Sequence, residues 1–200
     1  MRHWADPAAG LTVSSAGMQA LVGHPMDRGA ASVVRHLGID PTRHRSRQFE
    51  VSMAAEADLV LTAERDHRED IIRQLPAAFR RVFTIKEFAR IAPFVRSGDP
   101  REAVAEAANL RGLVPQPADP AEDDVADPYR RPAIHSRTAA EELTVAVKAT
   151  LAALGFDRMS AAEPEPARPA TKRRPAPGPT AQAPARRPAP QPRRPRPSTG

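Results

Sequence analysis

Asp58-Leu59-Val60-Leu61-Thr62 is an unbroken apolar run closed at both ends by polar residues. It does not alternate, so it suits a strand buried on both faces of a parallel sheet. Leu11-Thr12-Val13-Ser14-Ser15, closed by Ala16-Gly17, is a second strand candidate, and Val82-Phe83-Thr84-Ile85 is a third. Helical spacing lies between and after them. Asp27 is placed to cap a helix through Leu37, with Val33, Val34 and Leu37 inward and Gly38 as the stop. Ile71, Ile72, Leu75 and Phe79 keep a helical period that is interrupted near Pro76. Asp99-Pro100-Arg101-Glu102 reads as a helix start: Asp99 caps, Pro100 takes the first position, and Glu102 reaches back to the cap N–H. That helix ends near Gly112. In the last helix Thr138-x-x-Glu141 reads as a capping box, Leu143, Val147, Leu151 and Leu154 as one stripe, and Gly155 as the terminator. Met1–Gly10 reads as a helix end and a loop. Strands alternating with helices predict an α/β fold in three layers, a parallel sheet flanked by helices.

Composition divides the chain. Residues 161–200 hold twelve of the 23 prolines and nine of the 30 Lys+Arg, against two of the 24 Asp+Glu. The tail therefore carries the excess positive charge, and residues 1–160 are close to neutral. The tail repeats Pro, Ala and Arg without a helical or strand period and is read as disordered, with polyproline II character. Residues 1–160 are read as one folded domain. There is no cysteine, which excludes disulfides, cysteine-ligated zinc and thiol chemistry within these 200 residues. That composition fits a reducing, cytoplasmic setting. No stretch approaches the roughly 20 apolar residues of a membrane span.

The loop 115–132 is acidic and proline-rich, and its centre is Asp123-Asp124-Val125-Ala126-Asp127-Pro128-Tyr129. Asp127 is a carboxylate held before a proline, which restricts it to extended backbone. It reads either as a turn residue or as a general acid. Tyr129 reads either as an aromatic gate over a substrate ring or as a half-buried loop tyrosine. The six histidines show no metal-ligand spacing. Arg43, Arg45 and Arg47 suit a solvated loop, or a surface that attracts a phosphorylated partner. Glu64, Asp66, Glu69 and Asp70 favour the dipole at a helix start. In the tail, Pro184-Ala185-Arg186-Arg187-Pro188 and Pro190-Gln191-Pro192-Arg193-Arg194-Pro195 suit an acidic surface or a proline-recognition groove. No aromatic is interleaved for base stacking, which argues against nucleic acid.

Read in order, five groups of residues resemble landmarks of the low-molecular-weight protein-tyrosine phosphatases in their bacterial form. They are Ser14-Ser15-Ala16-Gly17, then Gly23-His24-Pro25-Met26-Asp27 with Gly38-Ile39-Asp40, then His44-Arg45-Ser46-Arg47-Gln48, then Ala57-Asp58-Leu59-Val60-Leu61-Thr62, and last Asp127-Pro128-Tyr129. The likeness spans about residues 10–155. It implies phosphotyrosine or aryl-phosphate hydrolysis without metal or cofactor, through a phosphocysteine. By the same resemblance Asp127 matches the general acid, and Tyr129 lies close to the substrate.

The resemblance also implies a gap. The family opens with a strand, a cysteine–arginine phosphate loop and a first helix, and Ser-Ala-Gly follows them; here Ser15-Ala16-Gly17 stands near the start. Removing a central strand leaves buried N–H and C=O groups unpaired at about 1–3 kcal/mol each, a sum comparable with a domain's whole stability of about 5–15 kcal/mol. The expectation is a gene whose start lies upstream, with residues 1–200 inactive alone. The alternative is a catalytically dead phosphatase-like binding or scaffold module. For the tail, deletion of residues 161–200 is expected to leave the far-ultraviolet circular dichroism of the remaining chain almost unchanged. A large loss of helical signal would refute the disordered reading.

Overall fold

The computed structural model describes residues 4–6, 10–127 and 133–156. Tyr129 and the tail 161–200 lie outside the described residues. Within the apolar run 58–62, Val60–Thr62 forms β3, and Val82–Thr84 forms β4. The two pair in parallel, with Val60 opposite Val82, Leu61 opposite Phe83 and Thr62 opposite Thr84. A parallel pair needs a crossover, and α3 (Arg65–Gln74) with a 3-10 turn at Pro76–Ala78 supplies it.

Successive residues of β4 point to opposite faces, and both faces are covered. Val82 packs with Ala54, Ile71 and Ala78, from α2 (Val51–Glu56), α3 and the 3-10 turn. Phe83 packs with Phe88 and Ile91 of α4 (Ile85–Ile91), with Ala103, Val104 and Ala107 of α5 (Pro100–Leu110), and with Leu154. The Phe83 and Phe88 rings meet edge to face at 5.1 Å between centroids, the arrangement their quadrupoles favour. A third cluster joins Ile85 and Val125 to Ala139 and Ala146 of α6 (Ala133–Ala153). Helices therefore lie on both sides of a parallel pair, as the α/β expectation requires.

Caps legible in the sequence form where the partners are local. Asp27 accepts the N–H groups of Gly29 and Ala30 and starts α1 (Arg28–His36). Asp99 accepts those of Arg101 and Glu102 at 2.9 and 3.0 Å. Gly38 and Gly112 follow their helices with φ of 76° and 83°, the left-handed conformation that ends a helix most cheaply at glycine.

Other expectations are corrected. Trp4–Asp6 is not a helix end but β1, paired antiparallel with β2 (Leu11–Val13), Trp4 opposite Val13. Gly10, at φ 69°, supplies part of the reversal. Leu11–Val13 thus pairs with its nearest neighbour in sequence and not with β3 or β4. Leu37 of the expected inner face of α1 is 54% exposed. Glu102 does not reach the cap N–H: Asp99 N–H donates to Ser97 Oγ, and Glu102 accepts the Ser97 hydroxyl. Thr138 caps nothing, because α6 begins at Ala133 and the Thr138 hydroxyl donates to the Ile134 carbonyl inside the helix. Of the expected stripe, Leu154 is buried just past α6 and Leu143 packs half-buried on the third cluster, but the buried seam within α6 is Ser136, Ala139, Ala146, Thr150 and Ala153. Small side chains let α6 approach α4 closely; Val147 is left facing out, 41% exposed.

At the β4–α4 junction a carboxylate is buried. Thr84 Oγ1 accepts the Glu87 N–H, and Glu87 reaches back to the Thr84 N–H, a complete capping box. The Glu87 side chain, 7% exposed, also takes Arg111 Nε at 2.9 Å and Arg68 at 3.7 Å. Arg111 continues to the carbonyls of Phe79 and Val82 and stacks 4.0 Å from the Phe83 ring centroid. Removing one partner of such a buried set leaves the others uncompensated, at a cost of about 3–5 kcal/mol. Glu87→Ala is expected to lower the urea-unfolding free energy by about that amount. A loss below about 1 kcal/mol would show that the arginines find water instead.

Candidate acid loop at the carboxyl ends of the strands

Asp127 stands in a loop that three cations hold against the ends of β3 and β4. The loop's own start is local. Asp119 accepts the Ala121 N–H while Glu122 accepts the Asp119 N–H, and a 3-10 turn forms over Pro120–Asp123. Asp123 then pairs with Arg90 of α4, Nη2 to Oδ2 at 2.8 Å. Arg90 also donates to the Pro115 carbonyl at 2.9 Å. The Asp124 backbone carbonyl accepts Lys86 Nζ of α4 at 3.1 Å, and Lys86 pairs on its other side with Glu142 of α6 at 3.4 Å.

The tightest point is Asp124. Its Oδ1 accepts the backbone N–H of Arg65, the first residue of α3, at 2.7 Å. Its Oδ2 accepts Arg65 Nε and Nη2, both at 3.1 Å. One carboxylate thus closes the guanidinium fork and fills an orphan donor at a helix start. Partial burial alone would raise the Asp124 carboxyl. The Arg65 side-chain and backbone hydrogen bonds outweigh it, helped by the Arg65 and Lys86 charges, and its pKa lies below the ordinary 3.8. The next residue, Val125, is buried, and its N–H donates to the Ala63 carbonyl just past β3 at 2.8 Å.

Asp127 follows two residues later and is exposed. Beside it a shallow depression is lined by Ala126, His135, Thr138, Ala139 and Glu142. The loop therefore stands at the carboxyl ends of parallel strands, where open α/β folds bind ligands. Tyr129, the second candidate, falls outside the described residues. The loop-fixing residues Arg65, Lys86, Arg90 and Asp124 carried no motif. Their only signal in sequence was an acidic loop facing cations in the first turns of two helices.

The remaining candidates are placed elsewhere. Arg47 forks onto the Ser15 carbonyl at 3.0 and 2.7 Å, and Arg45 donates to the carbonyls of Thr42 and His44, so both brace their own loop. Gly17 and Phe49 complete that brace, with Gly17 N–H to the Arg47 carbonyl and Phe49 N–H to the Gly17 carbonyl. Glu64 pairs with His67, and Asp70 with Arg73. Among the described residues no group of His, Cys, Asp and Glu could hold a metal ion, and no helix is long and apolar enough to cross a membrane.

Comparison with known proteins points one way. Residues 1–97 match the family described as low molecular weight phosphotyrosine protein phosphatase. The chain is 38% identical over 78 residues to the probable low molecular weight protein-tyrosine-phosphatase EpsP of Ralstonia nicotianae, covering 39% of this chain and 54% of that protein. It is 42% identical over 66 residues to a putative low molecular weight protein-tyrosine-phosphatase of Klebsiella pneumoniae, covering 33% and 46%. The chain spans about half the length of these curated relatives. The fold is shared with the YwlE arginine phosphatase of Geobacillus stearothermophilus at a TM-score of 0.52 and 24% identity, over 76% of this chain and 79% of that one. The family match begins at Met1, thirteen residues before the first landmark at Ser14, and ends at Ser97, before Asp127. The parallel strands and all the landmarks but Asp127-Pro128-Tyr129 lie within that match, and over residues 1–97 the chain is similar to the low-molecular-weight phosphotyrosine protein phosphatase family.

Proposed function

We propose that these residues form the acid-loop part of a phosphotyrosine phosphatase, with Asp127 as its general acid. One observation carries the reading. In a chain similar to this family, Val125 N–H docks on the Ala63 carbonyl at the end of β3, so a carboxylate two residues later is offered where the strands end. The chemistry needs such a group twice. A thiolate attacks phosphorus in line, and the acid protonates the departing phenolate oxygen. The same carboxylate, now deprotonated, takes a proton from the water that releases phosphate from the phosphocysteine. By resemblance, Tyr129 is assigned to the aryl group in this proposal.

The thiolate is not among these 200 residues, which contain no cysteine. In the proposal the nucleophile and phosphate loop come from sequence upstream of Met1, in a cytoplasmic protein acting on phosphotyrosine proteins or related aryl phosphates. The tail engages an acidic surface or a proline-recognition groove. The absence of cysteine supports a second reading, a family member that binds but does not turn over substrate.

The intact mass and N-terminal sequence of the native protein separate the two. The enzyme reading expects a mass above the 21.7 kDa of this chain, a cysteine-containing phosphate loop, and para-nitrophenyl phosphate turnover. Asp127→Asn should lower turnover of substrates with poor leaving groups by about 10²–10⁴-fold. A native mass of 21.7 kDa without turnover would overturn the enzyme reading and leave the binding module to be tested against a phosphotyrosine ligand. Turnover by the pure 200-residue chain, abolished by Asp127→Asn, would overturn the requirement for a thiol.

A further inference from the structure

Asp127 is exposed, and an acid must be held in place to protonate a leaving group efficiently. Reactive geometry must be held closely, since a displacement of about 1 Å costs on the order of 10²-fold. The structure shows where this loop is held. Asp124 and Val125 are tied at four points to the two strand–helix junctions. Asp124 meets the Arg65 backbone and its guanidinium, the Asp124 carbonyl meets Lys86, and Val125 N–H meets the Ala63 carbonyl. Consecutive Cα atoms are about 3.8 Å apart, so the Cα of Asp127 lies within roughly 7.6 Å of that of Val125. Only Ala126 separates the tied segment from the carboxylate.

We propose that the Arg65–Asp124 pair is the positioning device that sets where Asp127 stands; this rests on reading Asp127 as the acid. Three features distinguish the pair from a surface ion pair. Arg65 approaches with its planar fork, which fixes direction as well as distance. The same carboxylate takes the first N–H of α3, so the loop follows the helix axis. Burial of Val125 beside Ile85, Ala139 and Ala146 removes the freedom the loop would otherwise have. The Asp123–Arg90 pair lies one residue further back and holds the preceding 3-10 turn. In this reading α3 transmits the end of β3 to the acid, and neither Arg65 nor Asp124 touches substrate.

The test needs no turnover. It uses the 200-residue chain labelled with ¹⁵N and reads backbone order parameters at Ala126 and Asp127 and the exchange protection of the Val125 amide. Arg65→Lys keeps the charge and backbone N–H but removes the fork; Asp124→Asn keeps the shape but removes the charge. Each is expected to lower Val125 protection by about 10-fold or more and the order parameters at 126 and 127 below about 0.6. The amides of Phe88 and Ile91 should keep their protection. Arg90→Lys is expected to loosen Asp123 and leave 126 and 127 ordered. In the wild type the same loosening should appear only as the pH falls below 3.8, through the depressed value of Asp124, and Asp124→Asn should be loose at every pH. Asp66 of α3, Lys86 of α4, Asp119 of the loop and Glu142 of α6 also face this pair. Unchanged order in both folded variants overturns the proposal. So does loosening that spreads equally to Phe88 and Ile91, because the pair would then hold the fold and not the loop.

If the native polypeptide turns over aryl phosphates, both variants should lower kcat for poor leaving groups by about 10-fold with little change in KM, and spare good leaving groups. An equal loss for both kinds of leaving group overturns the positioning role. A native protein without turnover sinks the function proposed above, and the order measurements alone then decide whether the pair positions residue 127.

Discussion

A buried carboxylate, Glu87, holds the junction on which the rest depends. It closes the first turn of α4, neutralises Arg111 and faces Arg68, and so joins α3, β4, α4 and the end of α5 at one point. Burial lowers the Arg111 pKa from its ordinary value while the Glu87 charge acts against that shift. Taking charges out of water is costly, and a buried ionic set is weak evidence for stability as such. Its structural consequence is direction. A hydrophobic contact tolerates rotation of a helix, but three hydrogen-bonded groups do not.

That direction sets what α4 presents to the loop. Glu87 and Ile91 share one face at i, i+4, and Phe88 enters the core beside Phe83. Lys86 and Arg90, also at i, i+4, lie on the other side and reach Asp124 and Asp123. A helix of seven residues could not hold this arrangement by propensity alone, because short helices are marginal in water. The capping box and the packing on β4 hold it.

Legibility in the sequence followed the distance between partners. Asp27 and Asp99 bond to backbone two and three residues away, so residue type and position sufficed. The strands Val60–Thr62 and Val82–Thr84 were legible because burial on both faces leaves an unbroken apolar run. Arg65 and Asp124 are 59 residues apart, and nothing local marks them as partners. The face of α6 was read only in part, because hydropathy selects the largest residues, and of Leu143, Val147, Leu151 and Leu154 only Leu154 is buried. The tight approach of α4 selects the smallest, Ala139, Ala146 and Ala153. Thr138 misled because a capping box has the same spelling inside a helix as at its start. Asp127 was singled out by Asp-Pro-Tyr, but the devices that hold its loop are tertiary.

The loop also shows why a candidate acid is surrounded by ion pairs and not by a larger core. Its backbone must stay near water, since loop N–H and C=O groups lack regular partners. Val125 is accordingly its only residue among 119–127 classed as buried. Direction then has to come from polar contacts. Asp119 and Glu122 are used in the 3-10 turn, Asp123 on Arg90 and Asp124 on Arg65. Each cation comes from the first two turns of a helix that begins at the end of β3 or β4. The parallel ladder fixes the spacing of β3 and β4, and these contacts tie the loop to the ends of both strands. Under the positioning proposed above, the carboxylate two residues past Val125 takes its place from the sheet through these contacts.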